Sequence, residues 1–113
     1  MVNASCGRSG NNHTTGRPFE GVTVLINNSL RMVTQTIHCD ERYVVIKIAN
    51  YLLVNVYLPC VGTCDRLMIC DDISDDVCAW YERFVDCELV IAGDFNVDLD
   101  NVADACARNI CHC

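Results

Sequence analysis

Positive charge is scarce in this chain of 113 residues: 8 lysines and arginines stand against 15 aspartates and glutamates, for a formal net charge of −7 and a pI near 4.6. A field of that sign repels phosphate backbones at long range, which excludes a simple basic nucleic-acid binder. It leaves room for a nucleic-acid enzyme whose metal ion offsets the local charge. Long apolar runs are also missing; no stretch approaches the ~20 residues that a membrane-crossing helix needs, so no membrane partner is expected. The opening MVNASCGRSGNNHTTGR is polar throughout and has no apolar signal-peptide core. An intracellular product is therefore expected, not a secreted one, and the sequons at Asn3, Asn12 and Asn27 carry little weight. Internal repeats are absent, and the length is that of one small domain.

Cysteine, by contrast, is abundant, at 10 residues. In a short secreted chain that level marks a disulfide scaffold. Most of these cysteines sit inside apolar runs, where a reduced thiol acts as a small hydrophobe, and reduced thiols are the expectation. Cys106, Cys111, His112 and Cys113 offer soft ligands, but no C-x2-C knuckle is present and zinc is the weaker reading. No local motif marks a nucleophilic cysteine beside His38 or His112. The charge itself is uneven. Residues 65–104 carry 12 acids and 2 bases, whereas the remainder carries 3 acids and 6 bases. An anionic ligand bound in the acidic half calls for a divalent cation as intermediary.

Residues 1–18 read as a flexible polar lead closed by Pro18. Four β segments are then expected: Val22 to Ile26, Arg31 to His38, Tyr43 to Ala49 and Leu52 to Leu58. Turns at 27–29, 39–41 and Asn50 join them into an antiparallel meander. The last segment is apolar at Leu52, Leu53, Val54, Val56 and Leu58, as in a strand covered on both sides, with Asn55 and Tyr57 on the face of Leu53. Ile69, Ile73, Val77, Trp80 and Phe84 form one stripe of helical period, with aspartates on the other faces and Thr63 or Asp65 as N-cap; core packing is the expected role of that stripe. Glu88 to Ala92 is a short apolar strand ending at Gly93. Strand, helix and strand make a crossover unit, which predicts that 52–58 and 88–92 run parallel. The stretch 101–113 has weak periodicity and reads as a short Cys-rich tail with no closing element.

In an open α/β sheet, ligands bind beyond the carboxyl ends of the strands. The polar residues there are Asn55 and Tyr57 on one strand and Asp94 and Asn96 after the other. A carboxylate at that rim can steer or deprotonate a water, a carboxamide can hold the carboxylate and a phosphate oxygen, and a phenol can donate to a non-bridging oxygen. Such a set suits phosphoester hydrolysis with a divalent metal. Asp94 and Asn96 also fit a plain Asx turn, and Tyr57 a core or interface tyrosine. A calcium loop on Asp94, Asn96, Asp98 and Asp100 is excluded, because its Gly and Glu positions are Leu99 and Ala105.

NVYLP (Asn55 to Pro59) and IAGDFNVDL (Ile91 to Leu99), separated by an amphipathic helix, resemble the endonuclease/exonuclease/phosphatase superfamily. GRPFEGVTVLI (Gly16 to Ile26) is similar to the G-R-P-x-G-G-V-A-I-L stretch of its non-LTR (LINE-type) retrotransposon branch, with Glu20 in place of the first of two glycines. ERYVVIKI (Glu41 to Ile48) fits the strand between these blocks, so the resemblance spans about residues 16–100. It implies an α/β fold, part of a four-layer α/β sandwich, with a mainly antiparallel sheet and one crossover helix over residues 19–100. It also implies Mg²⁺-dependent phosphodiester hydrolysis on DNA, in the nucleus if the substrate is chromosomal. By the same resemblance Tyr57 is the phosphate-contacting tyrosine, Asp94 orients or deprotonates the water, and Asn96 is its partner. Asn55, from its place among the polar residues at the strand end, is expected to join Asn96 in substrate binding. The family's metal-binding Glu, its second Asp and its S-D-H triplet have no counterpart here, and His112 sits in C-H-C. The expectation is therefore a central fragment of the domain, weak or inactive, lacking the principal metal ligand. Its exposed sheet would be covered by the rest of the domain or by another chain. The alternatives are a non-catalytic acidic, Cys-rich interaction or metal-binding module, and the phosphatase branch of the same superfamily.

Overall fold

A computed structural model describes residues 2–7 and 21–111. Along the chain these form β1 (Val2–Gly7), β2 (Gly21–Ile26), a 3-10 helix over Asn28–Val33, β3 (Thr34–Cys39), β4 (Tyr43–Ile48), β5 (Tyr51–Tyr57), α1 (Arg66–Arg83), β6 (Glu88–Asp94) and α2 (Ala105–Cys111). The protein is α/β. Its main sheet has the order β3-β4-β5-β6 and is antiparallel apart from β5 and β6, which run parallel as the crossover requires. β1 and β2 make a separate two-stranded antiparallel ribbon.

β4 shows why the main sheet is sandwiched. Its first four residues, Tyr43 to Ile46, are all buried, so both of its faces are covered. Tyr43 and Val45 point into a core completed by Leu52, Val54, Val56 and Leu58 of β5 and its extension and by Cys70, Ile73 and Val77 of α1. Val44 and Ile46 point the other way, against Val22 and Ile26 of β2. Helices, sheet and ribbon are thus three successive layers among the described residues. At roughly 1.5–3 kcal/mol for each buried Val, Leu or Ile side chain, the helix-side core, the larger of the two clusters, contributes more than the ribbon side.

The helical stripe packs as its period demands: Ile73 and Val77 are buried, and Ile69, Trp80 and Phe84 lie against them. Its start differs from expectation. Asp65 occupies the N-cap position in a left-handed conformation, φ 58°, and its side chain makes no capping bond. The chain enters α1 through a turn instead, in which the Arg66 N–H donates to the Thr63 carbonyl at 3.3 Å.

Three further expectations need correction. The meander begins at β3, because residues 28–33 coil into a 3-10 helix capped by the Asn27 side chain, which accepts the Ser29 N–H at 2.9 Å. That coil carries β2 out of the main sheet and leaves Met32 on the surface. Within the polar lead, Val2–Gly7 pairs with Gly21–Ile26 in register from Val2 opposite Ile26 to Gly7 opposite Gly21, so this part is a strand. The tail contains α2. Asp104 caps it by accepting the Cys106 N–H at 2.9 Å, Cys106 and Ala107 are buried, and Ile110 packs on the core. The side chain of Asn109 also bonds Asp71 of α1.

Buried thiols behave as small apolar groups. Cys70 and Cys106 meet in the core between the helices, and the Cys70 thiol is pushed up to about 12, first by burial and then by its bond with Cys106. On α2 Cys106 is buried and Cys111 exposed; of the four soft ligands considered above, His112 and Cys113 lie outside the described residues. Leu52 is completely buried in the middle strand, and Leu52→Ala is expected to lower the unfolding free energy by ~2–5 kcal/mol in urea titration. A loss below 1 kcal/mol would place this side chain outside the core.

Candidate active site

The crossover places the carboxyl ends of two parallel strands side by side. Register runs from Tyr51 opposite Glu88 to Tyr57 opposite Asp94, so the phenol-bearing residue and the acid are direct cross-strand neighbours at one rim. Gly93 makes this approach possible. It sits opposite Val56 with φ 134°, and a Cβ there would fall 2.0 Å from the Val56 carbonyl oxygen. Only a residue without a side chain fits that backbone and that space. Gly93→Ala is expected to cost ~3 kcal/mol or more and to part the strand ends, read as a lowered urea midpoint and faster amide exchange at Leu58. Unchanged stability would show that β6 does not approach β5 this closely.

After Gly93 the chain folds back on the rim. The Leu58 N–H donates to the Asp94 carbonyl at 2.9 Å, and Asn96 Nδ2 donates to the Leu58 carbonyl at 2.7 Å. Asn96 is left-handed, φ 46°, a conformation Asn tolerates, and its N–H donates to Asp94 Oδ1 at 3.1 Å. The Asx turn therefore forms, and the Asn96 amide is committed to the Leu58 backbone. Asp94 stays exposed. Asn55 lies one pleat below Tyr57, and its Nδ2 donates to the Thr23 carbonyl of β2 at 3.2 Å. It ties the ribbon to the sheet. Thus Tyr57, Asp94 and Asn96 gather at one rim, while Asn55 is engaged beneath it.

Two arginines were not anticipated. Arg66 binds the Pro59 carbonyl through Nε at 3.1 Å and, through Nη2, the Asn96 carbonyl and Asp104 Oδ2, each at 3.3 Å. It fastens the loop after β6 to the start of both helices. Desolvation pushes the Asp104 carboxyl up, but Arg66 and the Cys106 and Ala107 N–H groups outweigh it and hold it below 3.8.

Arg42 stands on the other side of Tyr57. Its carbonyl accepts the Tyr57 N–H at 2.7 Å, and its guanidinium carbon lies 5.9 Å from the centre of the Tyr57 ring. Arg42, one residue before β4, thus lies in one row with Tyr57 of β5 and Asp94 of β6. Counting outward from the turn at Ala49 and Asn50, where Ile48 pairs Tyr51, would have found Arg42 opposite Tyr57. Asp40 fixes the backbone of this arginine, since its Oδ1 accepts the Arg42 N–H at 2.7 Å and the Tyr43 N–H at 2.9 Å, while Oδ2 meets His38 Nε2 at 2.9 Å.

Among the described residues, no three His, Cys, Asp or Glu side chains come together to hold a metal ion. The rim does not by itself fit a resident Mg²⁺ centre. What the row can do is bind an anion at the guanidinium, donate from the phenol and orient a water at the carboxylate. The chain matches no protein-family model, no curated protein and no solved structure.

Burial alone would lift the Asp40 carboxyl, but the bonds from His38 and from the Arg42 and Tyr43 N–H groups, with the His38 charge, hold it below its ordinary 3.8. A carboxyl depressed on folding stabilises the fold above the unfolded-state value and loses that contribution as pH falls through the folded one. Stability is therefore expected to decline as pH drops below about 3.8, and Asp40→Asn should flatten that part of the profile in acid-urea titrations. An unchanged profile would remove Asp40 from the acid response.

Proposed function

We propose that this chain is part of a metal-dependent DNA phosphodiesterase domain of the endonuclease/exonuclease/phosphatase kind, most similar to the endonucleases of LINE-type retrotransposons, and that it is weak or inactive in hydrolysis. The observation that carries the reading is the register pairing of Tyr57, within NVYLP, with Asp94, within GDFN, at the carboxyl ends of two parallel strands. In this reading Asp94 orients the attacking water and accepts its proton, and the Tyr57 hydroxyl donates to a non-bridging phosphate oxygen. Asn96 positions Asp94 through the backbone. Its own amide is spent on the Leu58 carbonyl, so it acts as a positioning residue.

Mg²⁺ is the ion the resemblance implies. Among the described residues no ligand cluster stands at the rim, so the ion's role here would require donors beyond them. Losing members of a catalytic unit lowers the rate by orders of magnitude, which is why weak turnover is the expectation. The parent domain is the four-layer sandwich, and the further layer would cover the edge at β6, where Val90 is 43% exposed. The rest of such a domain or a second chain would supply that cover. Localisation in the cell, nuclear for chromosomal DNA, follows from the same reading.

A supercoiled-plasmid nicking assay with Mg²⁺ tests the proposal. Slow or marginal nicking is expected, reduced about 100-fold or more by Asp94→Ala. Nicking that is unchanged in that variant overturns the role of Asp94, and vigorous nicking that the variant abolishes overturns the inactive reading alone. Preference for a phosphomonoester over plasmid would move the chain to the phosphatase branch. A bound zinc lost on blocking the C-terminal thiols would favour the non-catalytic metal-binding module.

A further inference from the structure

We infer that Arg42 is a phosphate-binding residue of this rim and that it makes the site selective for a polynucleotide backbone. The inference rests on the phosphodiester reading and adds a residue from the ERYVVIKI block to those of the NVYLP and GDFN motifs. Its basis is the cross-strand row. Arg42 and Asp94 flank Tyr57 from opposite sides, two strand spacings or roughly 10 Å apart. An isolated phosphate on Tyr57 and Asp94 does not need that span. A chain with phosphates in series does: one reaches the phenol and carboxylate, and a neighbouring one reaches the guanidinium.

Electrostatics points the same way. Asp94 belongs to the strongly acidic stretch 65–104, which by itself repels phosphate. Folding brings Arg42, from the more basic remainder of the chain, to the same edge. The guanidinium then does part of what a bridging cation would do: it offsets the acid where the anion must sit. Arginine suits this better than lysine, because its planar fork can pair two phosphate oxygens at once and stays charged at every working pH.

The group is also held in place before any ligand arrives. Asp40 Oδ1 accepts the Arg42 N–H, and the Arg42 carbonyl accepts the Tyr57 N–H, so the backbone on either side of the side chain is fixed. The Tyr57 ring lies within cation–π range of the guanidinium, 5.9 Å from its carbon. Backbone atoms carry these bonds, so removing the side chain leaves them intact.

The test uses the whole 113-residue chain and a short fluorescein-labelled DNA duplex, with binding followed by anisotropy over a salt series in excess chelator, so that metal chemistry plays no part. Arg42→Ala is expected to bind about 10-fold more weakly, with the slope of log affinity against log salt reduced by about 0.9, the value of one phosphate contact. Arg42→Lys should keep the slope and recover part of the affinity. A thermal melt confirms that each variant is folded, and Arg42→Lys serves as the readout if Arg42→Ala is not. Arg42→Ala with the wild-type slope and affinity overturns the inference. So does a wild-type chain that fails to bind the duplex, or an Arg42→Lys variant as weak and as shallow in slope as Arg42→Ala. The two readings fail separately. Absent nicking with Arg42-dependent binding sinks hydrolysis alone, whereas Asp94-dependent nicking with an Arg42-independent slope sinks only the phosphate-binding role.

Discussion

The close parallel contact of β5 with β6 at Val56 and Gly93 governs the rest of the molecule. A parallel pair cannot be joined by a hairpin, so the chain must cross over, and the crossover is α1. Docking α1 across β4 and β5 buries Leu52, Val54 and Val56 against Ile73 and Val77, and α2 closes the same face through Cys106 and Ala107. At the far end of the pair, Gly93 lets β6 reach full register to Asp94. The loop beyond then locks onto Leu58 from both sides, through the Asp94 carbonyl and the Asn96 side chain. Core and rim are consequences of one backbone approach.

The rim is organised by backbone bonds and short acidic turns more than by paired charges. Asp40, Asp94, Asp98 and Asp104 each accept an N–H two residues ahead, so much of the negative charge serves turns and helix starts. On the proposed reading, this is how an acidic chain builds a site suited to an anion. Some of its carboxylates are partly neutralised by local donors, and arginines stand where loops converge. Arg66 joins the loop after β6 to both helices, and Arg42 caps the row containing Tyr57 and Asp94.

The sequence was most readable where one periodicity acted alone. The stripe from Ile69 to Phe84 and the run from Leu52 to Leu58 settle the helix, the central strand and the parallel pair, because burial at those spacings admits one arrangement. It was least readable where a local turn competed with strand propensity. Residues 31–33 alternate like a strand, yet the Asn27 side chain starts a 3-10 coil there and diverts β2 into its own ribbon. α2 escaped notice because a helix of seven residues shows barely two turns of pattern and its cap, Asp104, resembles any other acid in that stretch. At the site, Tyr57 and Asp94 were visible as motif residues. The commitment of Asn96 and Asn55 to backbone carbonyls was not, since those partners are distant in sequence. Arg42 was hidden for another reason: its partner is set by hairpin register and not by any motif.

The central claim is that Arg42, Tyr57 and Asp94 form a single row at one edge of the sheet. Nuclear Overhauser contacts in the labelled 113-residue chain test it most directly. The account predicts cross-peaks from the Tyr57 ring to the Arg42 side chain, together with Hα and amide contacts across Val56 and Gly93 and between Leu58 and Asp94. A Tyr57 ring with no contact to Arg42, or a β6 whose end shows no contact to β5, would contradict it.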